Sequence, residues 1–373
     1  MFQRASSRSA SRAATASATA PADANATREA VLSASVGADG TATQRASRRV
    51  RRVLAGLIAA VIVLFIARVV LGDPVVYLDQ LWLILTGETV PGLSFIVTEH
   101  RGPAAVVGAL AGAALGLSGT IFQTLLRNPL ASPDVIGVGY GAATAAVAGM
   151  LALGITGPAL SLFAFAGGLV VALFVYFMAE SGKNTGGRFI LIGIGAAAML
   201  QAVMNYLLTR TDVRAAGDAL HWLVGSLSSS TWDRAAVLAA CLVVLAPLTA
   251  LAVSKLRILE LGDDAATSLG LNVRGTRAAL VVLGVALSAC TIAVTGPLAF
   301  VAFLAGPLAR LLTHRTNFVA SALVGAALVL AADFAGANLF GDVTLPAGVI
   351  TGALGAPFLL WLLVRSNKQG MGG

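Results

Sequence analysis

The chain has 373 residues, of which 57% are hydrophobic and 11% charged, with a formal net charge of +8. Soluble domains carry roughly 45–50% apolar and about 25% charged residues, so this composition excludes an ordinary soluble fold. The positive excess does not point to nucleic acid, because the basic residues flank long apolar runs and form no single patch.

Residues 1–47 are rich in Ala, Ser, Thr and Arg and nearly devoid of large apolar side chains. Such a segment cannot bury enough surface to offset its ordering entropy, and a disordered tail is expected. It does not read as a cleaved signal peptide, since the apolar run arrives late. Beyond it, apolar stretches alternate with charged loops. A spanning helix needs roughly 20 apolar residues. The 45 residues between Asp134 and Glu180 carry no charge. That interval is too long for one crossing and right for two, with the break at Gly154–Pro158. The same reading along the chain gives ten spans, at 53–71, 102–126, 135–154, 157–179, 189–209, 235–254, 278–295, 297–312, 317–340 and 343–364. Gly296 and Pro297 divide the seventh from the eighth, because proline lacks the amide hydrogen a helix needs. The eighth is short for a full crossing. The predicted fold is all-α and polytopic, with about ten transmembrane helices within 48–366 and a short tail at 367–373.

Orientation follows from lysine and arginine. With the N-terminus inside, the inner flanks hold 16 of them and the outer flanks 5, namely Arg68, Arg101, Arg210, Arg214 and Arg234. Both termini are therefore expected in the cytoplasm.

Intramembrane charge usually marks an ion path. Here only Asp333 lies well inside a span, and near a helix end it reads as a bonded, packed acid. His100, His221 and His314 sit at span edges. No proton relay, metal cluster or grouping of nucleophile, base and orienting acid is visible, so no catalytic residue and no metal ligand is assigned. Nor is there a glycine-rich loop followed by Lys and Ser or Thr, so any ATP has to be bound by another chain. Cys241 and Cys290 lie within apolar runs and read as small buried residues without a disulfide framework.

Glycine supplies the positive signal. Gly108, Gly112 and Gly116 recur every four residues and form a bare stripe along the second span, which lets another helix approach closely and predicts a central position. The stripe serves packing alone or a sliding contact as a pathway opens. Gly348 and Gly352 repeat the pattern in the last span, followed by Pro357, which is expected to loosen or kink it. The fifth span carries Met199, Gln201 and Asn205. Unpaired amides are costly in lipid, so Gln201 and Asn205 are expected to face the bundle or a water-filled path.

The longest inner loop runs from Lys255 to Arg277. In it Asp263 or Asp264 is placed to cap a short helix through Ala265, Ala266 and Leu269, with Gly270 as the stop. That helix would present Leu261, Leu269 and Leu271 to water, which suits a docking surface for a soluble partner better than a plain connector. The outer loop from Thr209 to Arg234 carries Trp222 and Trp232 in the manner of interfacial anchors.

Five stretches, in order, carry a resemblance. They are RGPAAVVGALAGAALGLSGTIFQTLLRNPLASPDVIGVGYGAA from Arg101 to Ala143, HWLVGSLSSSTW at 221–232, LGDDAATSLGLNV at 261–273, GPLAFVAFLAGPLARLL at 296–312 and LPAGVITGALGAPFLLWLL at 345–363. Across roughly residues 50–366 the chain resembles the ferric-siderophore and cobalamin permeases of the FecCD type. The resemblance implies the type II architecture of an ABC importer permease in the cytoplasmic membrane, with ten helices per subunit and two subunits enclosing the path. It further implies two ATPase subunits that hold ATP and Mg, and an extracytoplasmic binding protein. No bond chemistry and no bound cofactor fall to this chain. The cargo implied is a ferric siderophore moved by alternating access, with cobalamin or haem as the alternative. A secondary transporter is the reading from another class.

The resemblance assigns Leu261, Gly262, Asp263, Asp264, Ala265, Leu269 and Gly270 to the loop that engages the ATPase. Spans five and ten border the path, with Met199, Gln201 and Asn205 as candidates. Arg101 matches the first arginine of an Arg-Leu-Pro-Arg docking motif, or it snorkels to lipid headgroups. Departures lie at Ala104, in place of that motif's second arginine, at Gly306-Pro307, and at Thr344. The departure at Ala104 implies that docking rests on fewer charges, while those at Gly306-Pro307 and Thr344 favour pairing with a second, homologous permease over a homodimer.

Overall fold

The computed structural model describes residues 47–179, 185–341 and 343–370. The expectation of a disordered tail over 1–47 therefore falls almost wholly outside the described residues, as do Lys183 and the last three residues of the 367–373 tail. Residues from Val53 onward pack as one unit, and Ser47–Arg52 contribute the start of the first helix.

Thirteen helices follow one another among the described residues: α1 Ser47–Val70, α2 Leu78–Leu85, α3 Gly102–Leu125, α4 Val138–Leu153, α5 Gly157–Ala179, α6 Thr185–Thr209, α7 Val213–Leu223, α8 Trp232–Leu259, α9 Asp263–Ser268, α10 Val273–Thr295, α11 Val301–Thr313, α12 Phe318–Asn338 and α13 Ala347–Gly370. Seven of the described helices are long and apolar enough to cross a membrane, while α4, α11 and the apolar part of α13 are shorter. These ten stand at the ten expected spans. Their limits differ by up to about a turn and a half: α10 begins at Val273, and residues 296–300 form a turn ahead of the 13-residue α11.

Local signals set the ends. Asn272 caps α10 by accepting from the Gly275 amide at 2.9 Å, and Asn317 caps α12 through the Ala320 amide at 2.9 Å. Pro103 lies in the first turn of α3, where its missing donor costs nothing. A six-residue π-helical turn, Ile96–Arg101, leads into α3.

α3 occupies the centre, packed against α12, α10, α11 and α8. Of its most apolar window, 72% is buried, against 11% for α8, whose flank is left for lipid. The central seam is built from absent side chains. A Cβ on Gly112 would overlap the Gly325 carbonyl of α12, one on Gly116 would overlap Ser321, and one on Gly119 would overlap Ala302 of α11. At Gly108 the neighbour is the Leu227 side chain, 2.9 Å from such a Cβ. Gly348 likewise meets the Val224 carbonyl, whereas nothing lies within 4 Å of Gly352. The stripe in the last helix therefore closes a contact within this chain at Gly348 only. α13 runs through Pro357 as one helix.

Several polar groups inside the bundle are paired, whereas the buried hydroxyls of Thr124 and Thr249 find no partner among the described residues. Asp333 of α12 is buried and forms an ion pair with Arg68 of α1. Gln123 of α3 donates to the Phe303 carbonyl at 3.0 Å and accepts from Arg310 at 2.7 Å. Gly306 leaves the room that the Gln123 amide fills. Cys241 on α8 and Cys290 on α10 meet as free thiols.

Candidate functional site: a cavity between α6 and α13, and a seated helix at one end

Hydrogen bonds fix which helix ends lie together. At one end, Arg101 donates to the carbonyls of Val69 and Pro74, Trp232 donates to Thr98, and the Ser226 amide reaches Thr295. At the other, Arg127 donates to Leu259 and Glu260, and Arg277 pairs with Asp263. The first is called here the Arg101 end and the second the α9 end.

Between α6 and α13 lies a cavity of about 550 Å³. Gln201 and Met204 of α6 form one wall and Leu359 of α13 another. Loops from both ends of the bundle close on it. From the α9 end comes the turn after α3, through Leu130, Ser132, Asp134 and Val135. From the Arg101 end come Leu223, Val224 and the turn Pro297–Phe300. Two short helices explain this: α4 has 16 residues and α11 has 13, so the turns that precede them reach into the bundle. A single space is thus bordered from both ends.

Phe300 opens α11 with φ at 62°, a left-handed conformation costly for an aromatic residue. Its ring lies where a Cβ on Gly355 of α13 would be, so Gly355 makes the seat for it. The lining is mostly apolar. Its exceptions include Asp134, Tyr140 and Gln201, for which no hydrogen bond or ion pair is found among the described residues. Burial pushes the Asp134 carboxyl up to about 6.

At the α9 end, α9 differs in detail from its sequence reading. Its N-cap is Gly262, with φ at 107°, and no side chain caps it. Asp263 spends its carboxylate on Arg277 at 2.7 Å, which leaves the cap to the backbone. Gly270, with φ at 81°, ends the helix as the Leu271 amide bonds to Ala266 and its own amide to Thr267, a Schellman pattern. Ala266 is fully buried against Leu256, Leu259 and Leu280 and seats the helix on the bundle. Leu271 is drawn into that same cluster, so only Leu261 and Leu269, each 65% exposed, face outward.

Other residues fall differently. The Arg101 side chain is 6% exposed, and its guanidinium is spent on backbone carbonyls, including Pro74 at 2.9 Å. It ties the α1–α2 turn to α3 and presents no free charge outward, because those carbonyls would otherwise lack donors. Of the fifth-span trio only Gln201 lines the cavity. Met199 is 60% exposed on another face of α6, and Asn205 is exposed as well. Trp222 packs with the cluster around Leu160 and Ile292, leaving Trp232 exposed at the rim. Sequence reasoning missed Asp134, Tyr140, Phe300 and the Gln123–Arg310 link. It also missed α7, although Asp212 caps it through the Arg214 and Ala215 amides.

Comparison with known proteins agrees with this architecture. The chain is 38% identical over 293 residues to the ferric enterobactin transport system permease protein FepG of Escherichia coli, covering 78% of this chain and 89% of that one. It is 38% identical over 282 residues to the achromobactin transport system permease protein CbrC of Dickeya dadantii, covering 74% and 80%. Its fold matches a metal-chelate type ABC transporter solved in an inward-facing conformation, with a TM-score of 0.74 at 23% identity over 84% of this chain and 99% of that one. The model of the FecCD transport family matches residues 59–365, and this multi-pass membrane permease belongs to that family.

Proposed function

We propose that the chain is the path-forming subunit of an ATP-driven importer that moves a ferric siderophore across the cytoplasmic membrane by alternating access. The observation that carries this reading is the cavity bordered from both ends of the bundle. A space reached by turns from opposite ends is suited to opening alternately toward either side. The cargo class is supported by the chelates in the names of the two bacterial relatives.

In this proposal ATP and Mg are held by two partner subunits, which receive α9 through Leu261 and Leu269. Apolar side chains exposed this far suit a groove in a soluble partner. Arg127 links the two sites. It bonds to Leu259 and Glu260, just before α9, and it opens the turn that carries Asp134 into the cavity. Movement of α9 would reach the cavity through that arginine. The α9 end then faces the cytoplasm with both termini, in keeping with the excess of lysine and arginine on that side. A second, homologous permease closes the open side of the path, and a binding protein delivers cargo at the Arg101 end. There Arg101 acts by holding the docking surface in shape. Contact charges are left to neighbours such as Arg214.

The test is uptake of a radiolabelled ferric siderophore into proteoliposomes that hold the complete importer. Uptake should require ATP and stop when the ATPase is inactivated. Uptake that proceeds without ATP and follows a proton gradient would replace this reading with a secondary transporter.

A further inference from the structure

Asp134 is the one charged side chain among the described residues lining the cavity. Two other acids are compensated: Asp333 is paired with Arg68, and Asp263 with Arg277. For the Asp134 carboxylate no hydrogen bond or ion pair is found among the described residues, although it stands in mostly apolar surroundings. An uncompensated charge there costs free energy and contributes nothing to packing. Its setting is also built. Pro133 precedes it, the Gly137 amide donates to the Asp134 carbonyl at 3.1 Å, and the Val138 amide donates to the Pro133 carbonyl at 3.2 Å. These bonds hold the turn, and with it the carboxylate, against the space.

We propose that Asp134 is a charge-discriminating residue of the path, favouring cationic or neutral ferric chelates over anionic ones. The inference rests on the reading of the cavity as the path. Its sign follows from Coulomb's law in a cleft with low-dielectric walls: the carboxylate attracts a chelate bearing a free ammonium and repels one whose catecholates leave it multiply anionic. Phenol and amide neighbours add hydrogen bonding without a second charge. Among the described residues, the other elements that line the cavity bring one titratable group, the Tyr140 phenol. α4 brings Tyr140, α6 brings Gln201 and Met204, and Leu223, Val224, the 297–300 turn, Phe303 and Leu359 bring apolar groups. Lowering the pH through the Asp134 carboxyl's value of about 6 should therefore erase the discrimination.

The experiment uses the complete permease–ATPase complex in nanodiscs, without the binding protein, so that only the path selects. Gln201→Cys, in a background with Cys241→Ala and Cys290→Ala, is labelled with a neutral water-soluble thiol reagent. Protection by a cationic ferric trihydroxamate is compared with protection by an anionic ferric tris-catecholate. With Asp134 present, half-protection should need roughly tenfold more of the anionic chelate, relative to the cationic one, than in Asp134→Asn. Asp134→Glu should retain the wild-type ratio, which controls for folding along with ATPase co-purification. At pH 5 the wild-type ratio should fall to that of the Asn variant. If both chelates protect and the ratio is the same in wild type and Asp134→Asn, the inference fails while the path stands. If neither chelate protects in any nucleotide state, the path reading fails and takes the inference with it.

Discussion

The seam between α3 and α12 and the space between α6 and α13 both use glycine, to opposite effect. Along the seam, glycines bring backbone against backbone, and Gly112 and Gly325 each occupy the room a side chain would need. Across the space, Gly355 accommodates the Phe300 ring, and a cavity of about 550 Å³ lies between the facing walls. Helices in direct backbone contact have few alternative packings, whereas walls divided by a cavity have several. The comparison separates a fixed spine from movable walls. It also says where substitutions should damage the fold and where they should alter only transport.

The largest effect is expected on the spine. Asp333→Leu would leave Arg68 buried without its partner, and breaking such a pair by removing one member costs about 3–5 kcal/mol. Melting of the detergent-solubilised subunit should fall steeply, and Arg68→Leu in the same chain should recover much of the loss. A double variant no better than the single one would mean that the pair is not what holds α1 to α12.

Gly112→Leu comes next. Overpacking of a close-packed interior typically costs about 1–3 kcal/mol, and here the obstacle is the α12 backbone, which cannot rotate away. Gly352→Leu should leave melting of the subunit unchanged, since nothing lies within 4 Å of a Cβ there. Equal losses from both substitutions would erase the distinction between spine and periphery.

Leu269→Asp should affect stability least, because that side chain is 65% exposed. Its consequence should appear in assembly, where a carboxylate without a partner would enter the interface with the ATPase. Normal membrane insertion with loss of ATPase co-purification is expected. Wild-type recovery of the ATPase would remove α9 from the coupling role.

The division between spine and walls was only partly legible in the sequence. Hydropathy alone yields the ten spans, since lipid demands continuous apolar helices. The stripe of Gly108, Gly112 and Gly116 announces a close approach, but its partner Gly325 stands more than two hundred residues away, and no local pattern links them. α7 escaped notice because it is short and amphipathic, although Asp212 ahead of it was a readable cap. Arg101 counts as an outer charge in any sequence tally. Only the fold shows its donors turned onto the carbonyls of Val69 and Pro74. Asp134 marked nothing more than the boundary of an uncharged run, because a single acid in a proline-containing turn carries no signature of the space beside it. The shortness of α11 was visible, and its consequence, a turn reaching the cavity, was not.

The most direct test of the account is a pair of distances followed through the ATP cycle. Spin labels at Met199 on α6 and Leu360 on α13, both exposed, report the walls. Labels at Phe95, just ahead of α3, and Leu339, at the end of α12, report the spine. In the nanodisc-reconstituted complex the account predicts a change of more than about 2 Å between the walls on ATP binding, with the spine distance unchanged. A spine distance that shifts as much as the wall distance, or walls that stay fixed while ATP drives uptake, would contradict it.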